Sequence, residues 1–205
     1  MNTMAHLKNK YLNKMNKHFV IILFSAFTIT MSGQSIDLKI FNQNRADFSK
    51  KAMYILGGWA VGNMALSGLR MGNTIGSTKS FHQMNLGWNA VNATIATFGY
   101  LAAIHENPAS YDLFASINEH HKVDKLFLFN AGLDIGYMAA GAWMLEKSKN
   151  DTKNPQRWKG FGQAIALNGA FLFAFDLSAY FIHTSKITQL QPLLRGGQMG
   201  MSWQF

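Results

Sequence analysis

Two aspartates stand where a carboxylate is costly. Asp134 lies in FNAGLDIGYMAAGAWM (129–144) and Asp176 in GAFLFAFDLSAYF (169–181), runs that are otherwise apolar or small. In hydrocarbon, each charged Asp costs about 2.5–3.5 kcal/mol at a span centre. Two neighbouring carboxyls escape that cost by sharing a proton or binding a cation. Their surroundings repeat: Asn130-x3-Asp134-x2-Tyr137 in one segment, Asn168-x7-Asp176-x3-Tyr180 in the other. Two earlier segments share Gly58-Trp59-x3-Asn63 and Gly87-Trp88-x3-Asn92. Offsets of 3, 4, 7 and 8 keep residues on one helix face. Counting inward at 1.5 Å per residue, Asp134 lies about 14 Å deep and Asp176 about 10 Å, with Asn63 and Asn92 at about 16 and 18 Å. The expected site is therefore a buried polar or ion site of Asp134, Asp176, Asn63, Asn92, Asn130, Tyr137 and Tyr180. Two readings stay open: a working proton or ion site, or a structural network in which Asn, Tyr and Trp groups satisfy the carboxyls.

Histidines supply a second chemistry. His105, His120, His121 and His183 fall near one rim of the same segments, beside Glu106 and Glu119, while His82 falls at the other. Imidazoles with a carboxylate suit zinc or copper, which makes His105, His120, His121, His183 and Glu119 the candidate metal ligands. Adjacent His120 and His121 point apart on one helix, so interfacial polar residues are the competing reading. Paired haem ligation would require histidines facing across room for a macrocycle. No catalytic constellation is assigned: P-loop, GxSxG, HExxH and dinucleotide signatures are all missing from the sequence.

The elements that must hold these residues are helical. Four apolar segments, 53–72, 84–104, 125–144 and 161–183, are each about 20 residues, enough to cross about 30 Å of hydrocarbon. Arg70, Lys125, Asp134 and Asp176 are their only charged residues. They show no continuous charged face of the kind a soluble bundle presents to water. In the second segment Asn85, Asn89, Asn92, Ala96 and Gly99 form one stripe. In the third, Gly132, Gly136 and Ala140 form a small-residue stripe opposite Asn130–Asp134–Tyr137, suited to tight packing on a neighbour. Asn154-Pro155 reads as a helix start, Asn107-Pro108 as the start of a short outer helix carrying Leu113, Phe114 and Ile117, and Ser116-x-x-Glu119 as a capping box.

Charge sets an orientation. The 145–160 connection carries Lys147, Lys149, Lys153, Arg157 and Lys159, whereas 105–124 carries Glu106, Asp112, Glu119 and Asp124 against Lys122. Positive-inside bias places 145–160 in the cytoplasm. Lys50 and Lys51 run against that bias. At the N-terminus, four lysines precede the apolar run Phe19–Met31 and a Ser-Gly pair, which reads as a signal peptide over 1–33. Its removal lowers the formal charge from +9 to +5, so the basicity is largely targeting and no nucleic-acid partner follows. An outer-side segment at 34–51 and an outer-side tail at 184–205 would flank the bundle at 52–183. The tail ends MGMSWQF with a strand-like alternation. The chain has no cysteine, which removes disulfides and thiolate sites.

The stretch from about Tyr54 to His183, through YILGGWAVGNMALSG, FHQMNLGWNAVN, EHHKVDKLFLFNAGLDIGYMAAG and NPQRWKGFGQAIALNGAFLFAFDL, resembles an uncharacterised family of small bacterial membrane proteins, a domain of unknown function. The resemblance implies a four-helix membrane domain behind a signal peptide and carries no activity. The expectation is an all-α integral membrane four-helix bundle in a bacterial inner membrane, multi-pass, with both mature termini outside. Enzymatic activity is not favoured and no cofactor is implied. The partners expected are the lipid bilayer and a second copy or another membrane protein. Three functions follow: a structural or accessory membrane component, a small transporter or ion-coupled protein built on Asp134 and Asp176, or an outer-rim metal or cofactor binder.

Overall fold

A computed structural model describes the backbone of residues 3–191 and the side chains of 37–191. The side chains of 1–33, the expected signal peptide, and the end at 199–205, expected to alternate like a strand, lie outside the described residues. Four helices carry the fold: α1 (Thr3–Met71), α2 (Gly76–His105), α3 (Leu113–Asn150) and α4 (Pro155–Thr184). Two short 3-10 helices, Pro108–Ser110 and Ser185–Leu190, complete it, and no strand occurs among the described residues.

Local chemistry explains the boundaries. The α1–α2 turn closes on Gly76, whose φ of 61° suits a residue without Cβ. The Ser77 amide then donates to Gln156 Oε1 at 3.1 Å, so the first turn of α4 caps α2. Asn107 accepts from the Ala109 amide, but the helix it opens lasts only three residues. Asp112 caps α3 by accepting from the Ala115 amide at 2.7 Å. The expected Ser116–Glu119 capping box does not form; Ser116 is already inside α3, and its hydroxyl donates to the Asp112 carbonyl. The expected outer helix is thus the first turns of α3. Asn154-Pro155 does start α4, helped by the Asp151 carboxylate, which accepts from the amides of Asn154 and Lys153. The segment 34–51 is no separate outer piece: it continues α1, and Phe41, Asn42, Arg45 and Ala46 are buried.

Helix α3 packs along α4, α1 along α2, and α2 on α4. The contact depends on missing side chains. A Cβ on Gly141 would come 2.7 Å from the Ala166 nitrogen, and one on Gly160 would come 2.5 Å from the Phe81 nitrogen. Gly160→Ala is therefore expected to cost about 1–3 kcal/mol, measured by unfolding of the purified protein. Gly87→Ala, with open space at its Cβ, is expected to gain up to about 1 kcal/mol; equal effects at both sites would contradict this packing. The Gly132–Gly136–Ala140 stripe lies on the outward side of α3, opposite the cleft side, and meets no neighbour within the chain, with nothing within 4 Å of a Cβ at Gly132 or Gly136.

Polarity is distributed against the soluble rule. The largest fully buried side chains are Leu190, His120, His183, Asn42, Asn85, Asn89 and Asn168, of which one is apolar. Large apolar side chains line the outside instead, among them Phe98 (68% exposed), Val61, Phe129 and Ile135 (54%). By length and hydropathy one helix stretch among the described residues, Pro155–Leu190, qualifies to cross a membrane, with mean hydropathy 1.6. The segments of α1, α2 and α3 expected as spans do not reach that threshold, because their inward faces carry Asn, Ser, His and Asp.

Candidate functional site

Three polar layers are stacked inside the bundle. The innermost is an amide cluster. Asn168 Oδ1 accepts from Trp59 Nε1 (3.2 Å) and Asn89 Nδ2 (3.0 Å), and its Nδ2 donates to Asn85 Oδ1 (2.7 Å) and the Ala164 carbonyl (2.8 Å). Asn85 also donates to Asn63 Oδ1 and Ser67 Oγ, and His82 pairs with Ser67. The stripe Asn85–Asn89–Asn92–Ala96 expected on α2 does face inward. Asn63 belongs to this layer, bonded to Asn85 and the Trp59 carbonyl. Its expected place beside the aspartates is corrected: those neighbours hold it one layer further in.

The middle layer brings the two aspartates together. Asp134 on α3 and Asp176 on α4 are both buried, line the same cleft, and lie close enough for their carboxyls to interact. Asn130 lines the cleft beside them. Asp134 Oδ2 and Asn92 Nδ2 are buried without a partner. These groups lie at the back of a cleft of about 700 Å³, which exists because α2 and α3 stand apart. Met53, Leu56, Leu172 and Phe175 of α1 and α4 form its back, and Val91, Ile95, Leu126 and Leu133 form walls that open to the outside. Tyr137 closes the inner end, meeting Trp88 edge-on at 4.8 Å between ring centroids. Arg45 and Glu106, an ion pair absent from the sequence expectation, stand at the outer mouth. Tyr180, expected at the site, does not line the cleft; it packs beside Phe181 and against the Ala52–Phe127–Ala179 cluster.

The outermost layer holds the histidines. His120 and His183 stack at 4.1 Å between ring centroids, 18° apart. His183 Nδ1 donates to Asp124 Oδ1 at 2.6 Å, and His120 Nε2 lies 3.5 Å from Asp124 Oδ2. Asp124, read in the sequence only as a loop charge, is therefore central. The signal that could have found it is the spacing His120-x3-Asp124, which puts both on one helix face. Burial first, then the neighbouring His183, holds His120 below the usual imidazole range. The other candidate ligands are elsewhere. His105 is exposed and donates to the Leu101 carbonyl, and Glu119 pairs with Lys122. His121 is outward and half-exposed, with its Nδ1 3.7 Å from Asp124. Helix spacing explains the split: a residue adjacent to His120 is rotated about 100° away. The stacked rings leave no space for a macrocycle between them.

The DUF6992 family, a family of unknown function, matches residues 55–177. No curated protein and no solved structure matches the chain. The family segment contains the amide layer, both aspartates and the cleft walls, and ends just short of His183. With more than half its length inside that match, the chain belongs to DUF6992.

Proposed function

We propose that the protein is a multi-pass inner-membrane protein that binds amphipathic cations in the α2–α3 cleft, exchanging them for the proton shared by Asp134 and Asp176. The membrane part is supported by the inverted polarity, buried amides and imidazoles inside and exposed Val61, Phe98, Phe129 and Ile135 outside. It is also supported by the belts at each end. Trp143 and Trp158 flank Lys147 near the basic loop, and Tyr54 and Tyr100 pair near the other end. From Phe81 to Tyr100 is about 28 Å at 1.5 Å per residue, close to a hydrocarbon thickness. In this reading 145–160 faces the cytoplasm and α1 to α4 each contribute a span.

The observation that carries the binding function is the meeting of Asp134 and Asp176 at the back of an apolar cleft. Two neighbouring carboxyls in an apolar site do not both ionise; a shared proton would join them, and a cation that replaces it keeps the charge balanced. Apolar walls open toward the bilayer suit the ligand's body, and the faces of Trp88 and Tyr137 favour positive charge. This arrangement favours the ion-coupled expectation over the purely structural one. The exposed Gly132–Gly136–Ala140 stripe independently suits a helix of a second copy, so oligomerisation is compatible with it.

Tetraphenylphosphonium titrated into the purified full-length chain tests the proposal. Binding is expected to release about one proton per cation, read from the pH change in weakly buffered solution. Asp134→Asn and Asp176→Asn are each expected to weaken binding at least about tenfold, since charge pairing in an apolar site is worth more than 1.4 kcal/mol. Equal affinity in the wild type and both variants, or binding without proton release, would discard it.

A further inference from the structure

Beyond the cleft, the outermost layer has its own chemistry. His120 and Asp124 are one turn apart on α3, and His183 ends α4; all three are buried, with His120 1% and His183 0% exposed. One ligand atom from each lies within 4.8 Å of the other two. Their hydrogen bonding is incomplete. The Asp124 carboxylate accepts a hydrogen bond from His183 Nδ1–H, which leaves the lone pair on His183 Nε2, and that atom has no partner. Both ring nitrogens of His120 are likewise buried and unpartnered. Burying such groups unsatisfied costs about 1–3 kcal/mol each, so a fold that keeps them together calls for a missing partner.

We infer that His120, Asp124 and His183 bind a divalent transition-metal ion of the zinc class, which clasps the start of α3 to the end of α4. Two imidazoles and one carboxylate are a borderline-soft set suited to such ions. The i, i+4 spacing on α3 gives two ligands without bending the helix. The third comes from α4 at the point where the chain turns into Ser185–Leu190 and seats Leu190 against Phe41. Phe41 and Phe48 of α1 pack on the two rings from outside, at 5.4 and 5.0 Å between centroids, and hold them in place. Two cations stand nearby, Arg45, which is paired with Glu106, and Lys186, whose ammonium lies over the Phe48 ring; both disfavour positive charge at the site, and the Asp124 carboxylate counters them. Access is from the side of His121, the exposed histidine beside Asp124, and water completes the coordination.

The test uses the full-length protein in detergent, stripped with chelator and titrated with Zn2+ and with Co2+. A single ion per chain is expected, with visible Co2+ bands. His120→Gln, His183→Gln and Asp124→Asn are expected to weaken binding at least about tenfold, while His105→Gln and Asp134→Asn leave it unchanged. The last control separates this site from the cleft, on which it does not depend. Where a ligand variant fails to fold, Cu2+ bound to the wild type decides: hyperfine structure from two or more imidazole nitrogens supports the site. Fewer nitrogens, substoichiometric binding in the wild type, or unchanged binding in folded ligand variants would overturn it.

Discussion

Asn168→Ala is expected to destabilise the bundle by about 3 kcal/mol. Asn168 is fully buried and is the hub of the amide layer, with two bonds accepted and two donated. Truncation strands the Trp59 indole N–H, for which Asn168 is the recorded acceptor, at a cost of about 1–3 kcal/mol. The remaining bonds add less, because interhelical hydrogen bonds in membranes average about 0.6 kcal/mol, and Asn89 and Asn85 retain each other. The assignment to a network can be separated from a simple volume effect. Trp59→Phe removes the stranded donor, so in the Asn168→Ala background it is expected to recover about 1 kcal/mol, whereas in the wild type it costs stability. Chemical unfolding of the four proteins completes the cycle. A loss below about 1 kcal/mol for Asn168→Ala, or strict additivity, would show that the amides contribute little beyond filling space.

Ile135→Arg carries the largest consequence for the membrane reading. Ile135 is 54% exposed on the outer face of α3, one residue from Asp134 but pointing away from the cleft. It sits near the middle of the apolar stretch 125–144. Facing lipid at that depth, an arginine costs about 2.5–3.5 kcal/mol on insertion scales, which lowers the inserted, folded fraction roughly a hundredfold. Facing water, the same change stays within about 0.5 kcal/mol. The measurement is the amount of protein resisting alkaline extraction from membranes, with Lys122→Arg as the surface control. An Ile135→Arg protein that accumulates and folds like wild type would refute the four-span arrangement.

The inverted polarity accounts for the disagreement between the apolar segments and the hydropathy threshold. Mean hydropathy adds the inward and outward faces of a helix together. On α2 the inward face is Asn85, Asn89 and Asn92, and the outward face is Val91, Ile95 and Phe98. A window average cancels one against the other, and among the described residues the stretch beginning with α4, with fewer polar positions, is the one apolar enough to cross a membrane. For such a chain the face, rather than the window, is the informative unit.

Helices α2 and α4 were legible in residue order because their signals are local. Asn154-Pro155 starts α4, the inward stripe of α2 follows a 3.6-residue period, and the loops carry the charge. The layer shared by Asp134 and Asp176 was also legible, since depth along a helix follows from residue count. Rotation and tilt of one helix against another do not. They decide that Gly132 and Gly136 face outward while Gly141 meets Gly162, that Tyr180 turns from the cleft, and that Asn63 joins the amides. They also bring Asp124 to His183 across 59 positions of sequence. The sequence by itself determined which residues needed partners and how they are spaced along each helix. Tertiary structure alone decided which partners they have, because close approach at Gly141, Gly160 and Gly162 fixes how α2, α3 and α4 are rotated against one another.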